Sequence, residues 1–431
     1  GIGSPFERKE FHTALEALID DGHIYFDKKK RKYIAAESSD AIKGKVSGNK
    51  RGFAFIICED KNIPDLFVSH KNLRGAMHGD TVLCRLIGGG SDEAEVLSVL
   101  SRGIEQVVGT YISSHGYGFV EPDDSRYYAD IFIAQKNSGG ARNGQKVVAK
   151  ITEFPKDRKN LEGKVIEILG SSDDADTDIL SIIRSYQLYE SFSENAEREA
   201  QKAAAEDFKK LENRKDFRKL LTFTIDGEDA KDLDDAVSIY KDGDLYILGV
   251  HIADVSHYVK QGSHLDKEAL KRGTSVYFPD RVLPMLPKQL SNGICSLNPD
   301  EDRLTLSVIM HVNGQGKVVK FEIAQSVIKS HARFTYTEVE KIINGDKELH
   351  KKYIKFIDSI YLMQELSNIL ISKRGRRGSI DFNLPEAQII INGSSGEVEN
   401  IRPYPIGISN KIIEEFMILT NETVAKYCEE K

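Results

Sequence analysis

The sequence predicts a multidomain α+β protein: a short helix-and-hairpin module, two small Greek-key β-barrels, a helical connector and a mixed α/β domain. Three observations predict it. Residues 42–170 contain an internal repeat with an offset of 65. An Ala-rich stretch of helical patterning follows. From Leu221 onward, strand-like apolar runs alternate with helical ones. A chain of 431 residues has room for about two to four domains, each with its own core.

Residues 1–40 form the first module. Glu7 to Ile19 places Phe11, Leu15, Leu18 and Ile19 at helical spacing, and Asp21-Gly22 ends the helix. His23-Ile24-Tyr25-Phe26 and Lys32-Tyr33-Ile34 then flank the basic turn Asp27-Lys28-Lys29-Lys30-Arg31. A helix followed by a hairpin with a basic tip matches the back half of a winged helix. An amphipathic helix with a solvated turn is the plainer alternative. The abrupt start leads us to expect that the natural N-terminus is missing.

The repeat divides into residues 41–103 and 104–170. Gly44-Lys45-Val46 returns as Gly109-Thr110-Tyr111, Asp65-Leu66-Phe67-Val68 as Asp130-Ile131-Phe132-Ile133, and Gly79-Asp80-Thr81-Val82 as Gly144-Gln145-Lys146-Val147. Gly52-Phe53-Ala54-Phe55-Ile56 matches Gly116-Tyr117-Gly118-Phe119-Val120 after a one-residue gap. Phe53 and Phe55 share one strand face, as do Tyr117 and Phe119. Phe67 and Phe132 sit on the next strands. Rings exposed on adjacent strands form a platform for stacking nucleobases. The same rings could instead fill the barrel cores. Residues 171–220 then read as a linker, Ser171-Ser172-Asp173-Asp174, followed by a helical connector from Asp178 to Leu220.

Residues 221–431 form the mixed α/β domain. Strands are expected at Leu221–Ile225, Ala236–Tyr240, Leu245–Ala253, Leu304–Val312 and Val318–Ile328. Helices are expected at Tyr336–Asn344, Leu349–Lys373 and Ile408–Lys431. Ser275 to Pro279 and Arg281 to Pro287 make a Pro-punctuated loop. A turn at Asn392–Gly396 separates two further strands.

Six carboxylates fall between Asp226 and Asp235, in Asp226-Gly227-Glu228-Asp229-Ala230-Lys231-Asp232-Leu233-Asp234-Asp235. Packed bare they would repel. Either the loop is solvated with its acids apart, or the acids converge on cations. Hard carboxylate oxygens held between two core strands suit Mg²⁺ or Mn²⁺. The spacing does not fit an EF-hand, and the lack of His in the cluster disfavours zinc. Lys373-Arg374-Gly375-Arg376-Arg377-Gly378 offers guanidinium groups beside glycines that would let phosphates approach. A solvated turn is the alternative. His251, His257, His311 and His331 are scattered and read as packing or surface residues.

Composition narrows the setting. The net charge of −7 argues mildly against nucleic acid, but its distribution softens this. Residues 1–170 hold 25 Lys/Arg and 24 Asp/Glu, so the excess acid lies with the acidic loop, where divalent ions would offset it. No apolar run is long enough to span a membrane. Cys58, Cys84, Cys295 and Cys428 contain no C-x-x-C pair, which speaks against a zinc ribbon or disulfide framework and for a reducing cytoplasm.

Thr224 to Ala236 resembles the signature of the ribonuclease R branch of the RNase II/RNB family. Gly249-Val250-His251-Ile252-Ala253-Asp254-Val255, Arg281 to Pro287 and Ile412-Ile413-Glu414-Glu415-Phe416-Met417 support the likeness. The resemblance implies a winged-helix remnant, two OB-fold cold-shock barrels and most of an RNB catalytic domain. It implies a processive 3′→5′ exoribonuclease that degrades single-stranded RNA to nucleoside 5′-monophosphates with Mg²⁺. Asp226, Asp232 and Asp235 match the metal-binding acids. Asp234 matches the aspartate whose loss stops catalysis while sparing RNA binding. Tyr277 and Phe382 match the aromatics that clamp the terminal nucleotides, and Glu414 an acid near the 3′ end. The family continues beyond Lys431, so the chain reads as a fragment and is expected to be weakly active or inactive. A monomer with no membrane contact and no organic cofactor is expected. The rival readings are a non-catalytic cold-shock-type RNA-binding protein and a metal-dependent DNA nuclease.

Overall fold

The computed structural model describes residues 5–20, 23–27, 31–35, 41–87, 92–155, 161–172, 174–206, 213–380, 382, 384–392 and 398–431. Parts of several expected features lie outside these residues: the turn at 21–22, the basic tip at 28–30, linker residue 173, connector residues 207–212 and the turn at 393–396. The chain divides into two units, 1–188 and 189–431.

The first unit opens with helix α1 (Pro5–Asp20) and the hairpin β1 (Ile24–Asp27) and β2 (Lys32–Ala35). Tyr25 of the hairpin is buried with Leu83 and Leu100 of the barrel that follows. That barrel contains β3 (Ile42–Gly48), β4 (Ala54–Cys58), β5 (Leu66–Val68), the short helix α2 (His70–Leu73), β6 (Thr81–Leu86) and β7 (Ala94–Ser101). Its sheet order is β5-β4-β3-β6-β7, and a parallel bridge from Phe67 to Glu93 joins the two ends. The second barrel repeats this plan with β8 (Gln106–Ser114), β9 (Tyr117–Pro122), β10 (Ile131–Ala134), β11 (Gln145–Glu153) and β12 (Glu162–Ser171). It closes fully, and Phe132 pairs in parallel with Glu162. Two five-stranded Greek-key barrels of OB type follow from the repeat.

Alternation decides what fills them. Ala54, Ile56, Leu66 and Val68 point into the first core, and Val120, Ile131 and Ile133 into the second. Gly118 is required by a close approach: a Cβ there would stand 2.4 Å from the Tyr111 hydroxyl. Asp80 of the repeated Gly79-Asp80 is fully buried. It accepts from Met77 N and Gly103 N, each at 2.9 Å, and from Arg102 at 2.7 Å.

The stretch expected to be one connector belongs to both units. Helix α3 (Ala175–Ser185) packs on the second barrel, where Arg184 pairs with Glu167 at 2.7 Å. Helix α4 (Glu194–Ala204) belongs to the second unit. Ala196 and Ala200 are buried there, and Glu199 accepts from Leu265 N at 2.9 Å. The alanines are a packing face.

The second unit continues with β13 (Lys215–Asp216), β14 (Thr222–Asp226), β15 (Asp235–Asp242), β16 (Leu245–Ala253), helices α5 (Val255–Tyr258) and α6 (His264–Arg272), and the two-residue strands β17 (Val276–Tyr277) and β18 (Val282–Leu283). The long strands β19 (Asp302–Val312) and β20 (Val318–Thr335) come next. They are followed by α7 (Tyr336–Ile343), α8 (Lys347–Lys352), α9 (Ile357–Arg376), the hairpin β21 (Ala387–Ile391) and β22 (Val398–Pro403), and α10 (Ile408–Glu429). The order β13-β20-β14-β15-β16-β19, with β19 also paired to β20, closes five strands into a ring.

One face of that sheet is apolar. Phe223, Leu248, Val250, Met310 and Phe334 pack against Ile360, Leu366, Ile412 and Phe416 of the helices. The other face carries a hydroxyl-and-imidazole network. His251, with no exposed surface, contacts Ser307 Oγ at 2.6 Å through Nδ1 and Ser238 Oγ at 3.0 Å through Nε2.

Three expectations shift. β20 runs on to Thr335, seven residues past Ile328, and a capping box between Thr335 and Glu338 ends it and starts α7. The helix expected over Leu349–Lys373 is broken between Lys352 and Ile357, where Tyr353 and Phe356 pack their rings with Phe334. It then continues to Arg376, so Gly375 is helical and not part of an open turn. Gly378, at φ 94°, is where the left-handed conformation falls. No helix among the described residues is long and apolar enough to cross a membrane.

Candidate active site

β14 delivers Asp226 to its C-terminal end, and β15 begins with Asp235. The acidic loop between them is pinned at several points. Leu233 is 1% exposed, drawn into the core between Asp232 and Asp234. Ser296, itself buried, accepts from Leu233 N at 3.1 Å and donates to Lys231 O at 2.9 Å. Leu297 N donates to Leu233 O and Ala253 N to Asp234 O, both at 2.9 Å. At the other end Arg333 Nη2 donates to Gly227 O at 3.2 Å and Glu228 O at 2.9 Å, and the Thr337 hydroxyl donates to the Glu228 carboxylate. The loop backbone is thus fixed and Leu233 is buried, while Glu228, Asp229 and Asp234 keep exposed surface.

The acids feel one another. Burial, then the Asp235 charge, push the Asp226 carboxyl from an ordinary 3.8 up to about 7, with Arg333 pulling the other way. Burial, then Asp234, push Asp235 up to about 6. Asp234 is raised by burial and by Asp232. Asp226 Oδ2, Thr224 Oγ1 and Arg333 Nε are buried without hydrogen-bond partners. A buried, unpaired carboxylate oxygen among like charges is a place a hard cation fits. Among the described residues, however, no group of three or more His, Cys, Asp or Glu could hold a metal ion by itself. The carboxylates expected to ligate, Asp226, Asp232 and Asp235, therefore do not form a ready-made cage. Mg²⁺ suits such a site, because it is held by one or two carboxylates plus water and substrate phosphates.

Tyr277 arrives from the β17–β18 hairpin, and its hydroxyl donates to Asp232 Oδ2 at 2.6 Å. The residue as a whole is 64% exposed. That bond, with burial, pushes the phenol up to about 12. Phe382 is 74% exposed. Glu414 is exposed on α10 and accepts from Arg374 at 3.4 Å. Arg374 binds mainly to the buried Glu415, and Arg377 pairs with Glu422 at 2.7 Å. Arg374 and Arg377 thus bond to α10, with Arg374 partly buried and Arg377, like Arg376, exposed.

In the first unit the six rings form two matching triads on the outer faces of the barrels. Phe53, Phe55 and Phe67 have centroids 5.6–5.9 Å apart. Tyr117, Phe119 and Phe132 have centroids 5.5–5.9 Å apart. None of the six belongs to a buried core cluster.

Sequence reasoning missed Arg333, Tyr336 and Ser296. Tyr336 is partly buried beside Asp226 and Asp235, and its phenol is pushed up to about 12 by burial and then by those acids. It lines a cavity of about 900 Å³ with Glu228, Asp229, Lys341, Arg402 and Tyr404. The local sequence does carry one cue, the capping-box pattern Thr335-Tyr336-Thr337-Glu338. It marks a helix start but not the parallel pairing that sets Thr335 beside Asp226.

The profile described as RNB domain matches residues 214–431. This chain belongs to the RNB family. Residues 44–99 match a Ribonuclease B OB domain, and residues 119–193 match a Cold shock domain. Ahead of and through its RNB domain, the chain is 43% identical to Ribonuclease R of Thermotoga maritima over 429 residues, covering 97% of this chain and 59% of that one. It is 38% identical to Ribonuclease R of Escherichia coli over 422 residues, covering 96% and 51%. The chain thus spans little more than half the length of these RNB relatives. Mycoplasma genitalium RNase R in complex with ribose methylated single-stranded RNA superposes with a TM-score of 0.78 at 26% identity, covering 90% of this chain and 62% of that one. Yeast Ssd1, a pseudonuclease, shares the fold with a TM-score of 0.67 at 17% identity.

Proposed function

We propose that this chain carries the catalytic acids and RNA-guiding surfaces of a processive 3′→5′ exoribonuclease that hydrolyses single-stranded RNA to nucleoside 5′-monophosphates. The observation that carries this reading is the pinned acidic loop, with Asp226 and Asp235 raised and Asp226 Oδ2 left without a partner. Asp226, Asp232 and Asp235 are the residues that would hold Mg²⁺, which supplies charge neutralisation and a more acidic water for attack on phosphorus.

The protein's own groups account for the rest. Exposed rings of Tyr277 and Phe382 stack on terminal bases and present the last phosphodiester to the loop. Asp234, raised by burial, stands beside Asp232 and acts on the reacting phosphate. Hydrolysis breaks the bond from phosphorus to the leaving O3′ and forms one to the water oxygen. The water loses a proton and O3′ gains one. The products are a nucleoside 5′-monophosphate and a chain shorter by one residue. The two aromatic triads hold upstream bases by stacking, which tolerates any sequence. The reading places the chain in the cytoplasm as a monomer without an organic cofactor.

A second reading is a non-catalytic RNA-binding protein. It is favoured by the lack of a self-sufficient carboxylate cage among the described residues. Matched RNA and DNA oligomers, with product analysis by thin-layer chromatography, decide between them. Mononucleotides from RNA alone, abolished by chelator and by Asp234→Asn, support the exoribonuclease. RNA binding that chelator leaves unaffected, with no mononucleotide release, supports the second reading. Equal cleavage of DNA, or an active Asp234→Asn variant, overturns the proposal.

A further inference from the structure

Tyr277 presents two different surfaces. Its ring is open to solvent, whereas its hydroxyl is committed to Asp232 Oδ2 at 2.6 Å. Both ends of this bond stand on restrained backbone. On the tyrosine side, Phe278 N donates to Arg281 O at 2.8 Å and Met285 N to Ser275 Oγ at 3.0 Å. Arg272 ties the same loop down, donating to Pro284 O at 3.2 Å and to Tyr189 O at 2.8 Å. On the aspartate side, the flanking Lys231 and Leu233 are both held by Ser296. The restrained backbones bring the phenol within reach of the carboxylate, while the exposed side chain itself stays free to turn.

This bond has a chemical consequence. A phenol that donates to a carboxylate oxygen occupies one of its lone pairs and sets the carboxylate plane. A hard cation taken up by Asp232 must share that oxygen or displace the hydroxyl. A base laid against the open ring restrains the same tyrosine from its other side. Asp226 Oδ2, by contrast, has no such donor.

Resting on the exoribonuclease reading above, we propose that Tyr277 is a positioning residue that couples base occupancy to cation binding: stacking on its ring shifts the hydroxyl and thereby releases the Asp232 carboxylate for the metal. The coupling is reciprocal by linkage, so the metal tightens base stacking by the same factor.

The test separates ring from hydroxyl. Tyr277→Phe keeps the ring, and Tyr277→Leu removes it. Each variant, with the wild-type chain, is titrated with Mg²⁺ by calorimetry and by thermal shift. The titrations are run with and without a ribose-methylated single-stranded RNA ending in 2-aminopurine. Far-ultraviolet circular dichroism checks that each variant folds.

Without RNA, Tyr277→Phe should bind Mg²⁺ more tightly than wild type, by roughly 5-fold or more. The gain in Mg²⁺ affinity on adding RNA should shrink by the same factor, while 2-aminopurine quenching persists. Tyr277→Leu should lose the quenching as well. A wild-type Mg²⁺ response that Tyr277→Phe leaves unchanged, with and without RNA, overturns the coupling alone. No Mg²⁺ response in the wild-type chain overturns both the coupling and the metal reading beneath it.

Discussion

Arg374 donates from Nε to Glu415 Oε1 at 2.9 Å, and Glu415 is 3% exposed. A buried carboxylate stripped of its arginine costs about 3–5 kcal/mol, because the charge is left unpaired. Arg374→Ala should therefore lower the melting temperature sharply. Arg376→Ala should leave stability unchanged and weaken RNA binding, most at low salt. Denaturation midpoints and fluorescence anisotropy on the two variants check this. A stable Arg374→Ala chain with weakened RNA binding would show that Arg374 meets phosphate after all.

Asp226 makes metal-free stability depend on pH in an unusual direction. Its folded pKa, about 7, lies above the ordinary 3.8, so the folded chain keeps a proton that the unfolded chain has released. This contribution is fully present below about pH 4 and is lost as pH rises toward 7. Asp235, at about 6, adds a similar loss between about pH 4 and 6. Asp226→Asn should thus stabilise the metal-free protein by about 1–3 kcal/mol at pH 8 and by little at pH 4, while losing stabilisation by Mg²⁺. Thermal melts at the two pH values, with and without Mg²⁺, read the effect. A stability difference independent of pH would contradict it.

His251 works in the opposite sense. Burial holds its pKa down to about 3, below the ordinary 6.5. Its contribution is present above about pH 6.5 and is lost as pH falls toward 3. His251→Asn should remove this acid sensitivity and lower stability at neutral pH by about 1–3 kcal/mol, since Ser307 and Ser238 lose a partner. Urea midpoints between pH 4 and 8 distinguish the slopes of the two proteins.

The ring triads separate binding from folding. Phe55→Ala and Phe67→Ala should weaken single-stranded RNA binding by about 1–3 kcal/mol for each base unstacked, with little loss of stability. Ile56→Ala, one residue along the same strand but buried, should cost about 2–5 kcal/mol of stability instead. Anisotropy titrations alongside melts check both. Equal destabilisation by the three variants would place the phenylalanines in the core.

The repeat offset, the strand alternation and the six acids were legible in order along the chain, because each is a local pattern. Period-2 alternation puts Phe55 outside when Ile56 is inside, whatever else the protein does. The helix over residues 349–376 was less legible. Its break depends on Tyr353 and Phe356 meeting Phe334, a contact that no local pattern encodes.

By itself the sequence determined two barrels whose paired rings share a strand face, and a strand–acidic loop–strand with six carboxylates; the fold decided that the rings lie outside the cores. Tertiary structure decided what those carboxylates experience. Arg333 reaches the loop through the parallel pairing of β14 with β20, and Tyr277 reaches Asp232 across 45 residues of chain. Glu415 claims Arg374 only because α9 and α10 lie side by side. Hydrogen bonds and charges act over a few ångströms of space irrespective of separation along the chain. Proton affinity, cation fit and the pairing of each arginine are therefore properties of the folded site.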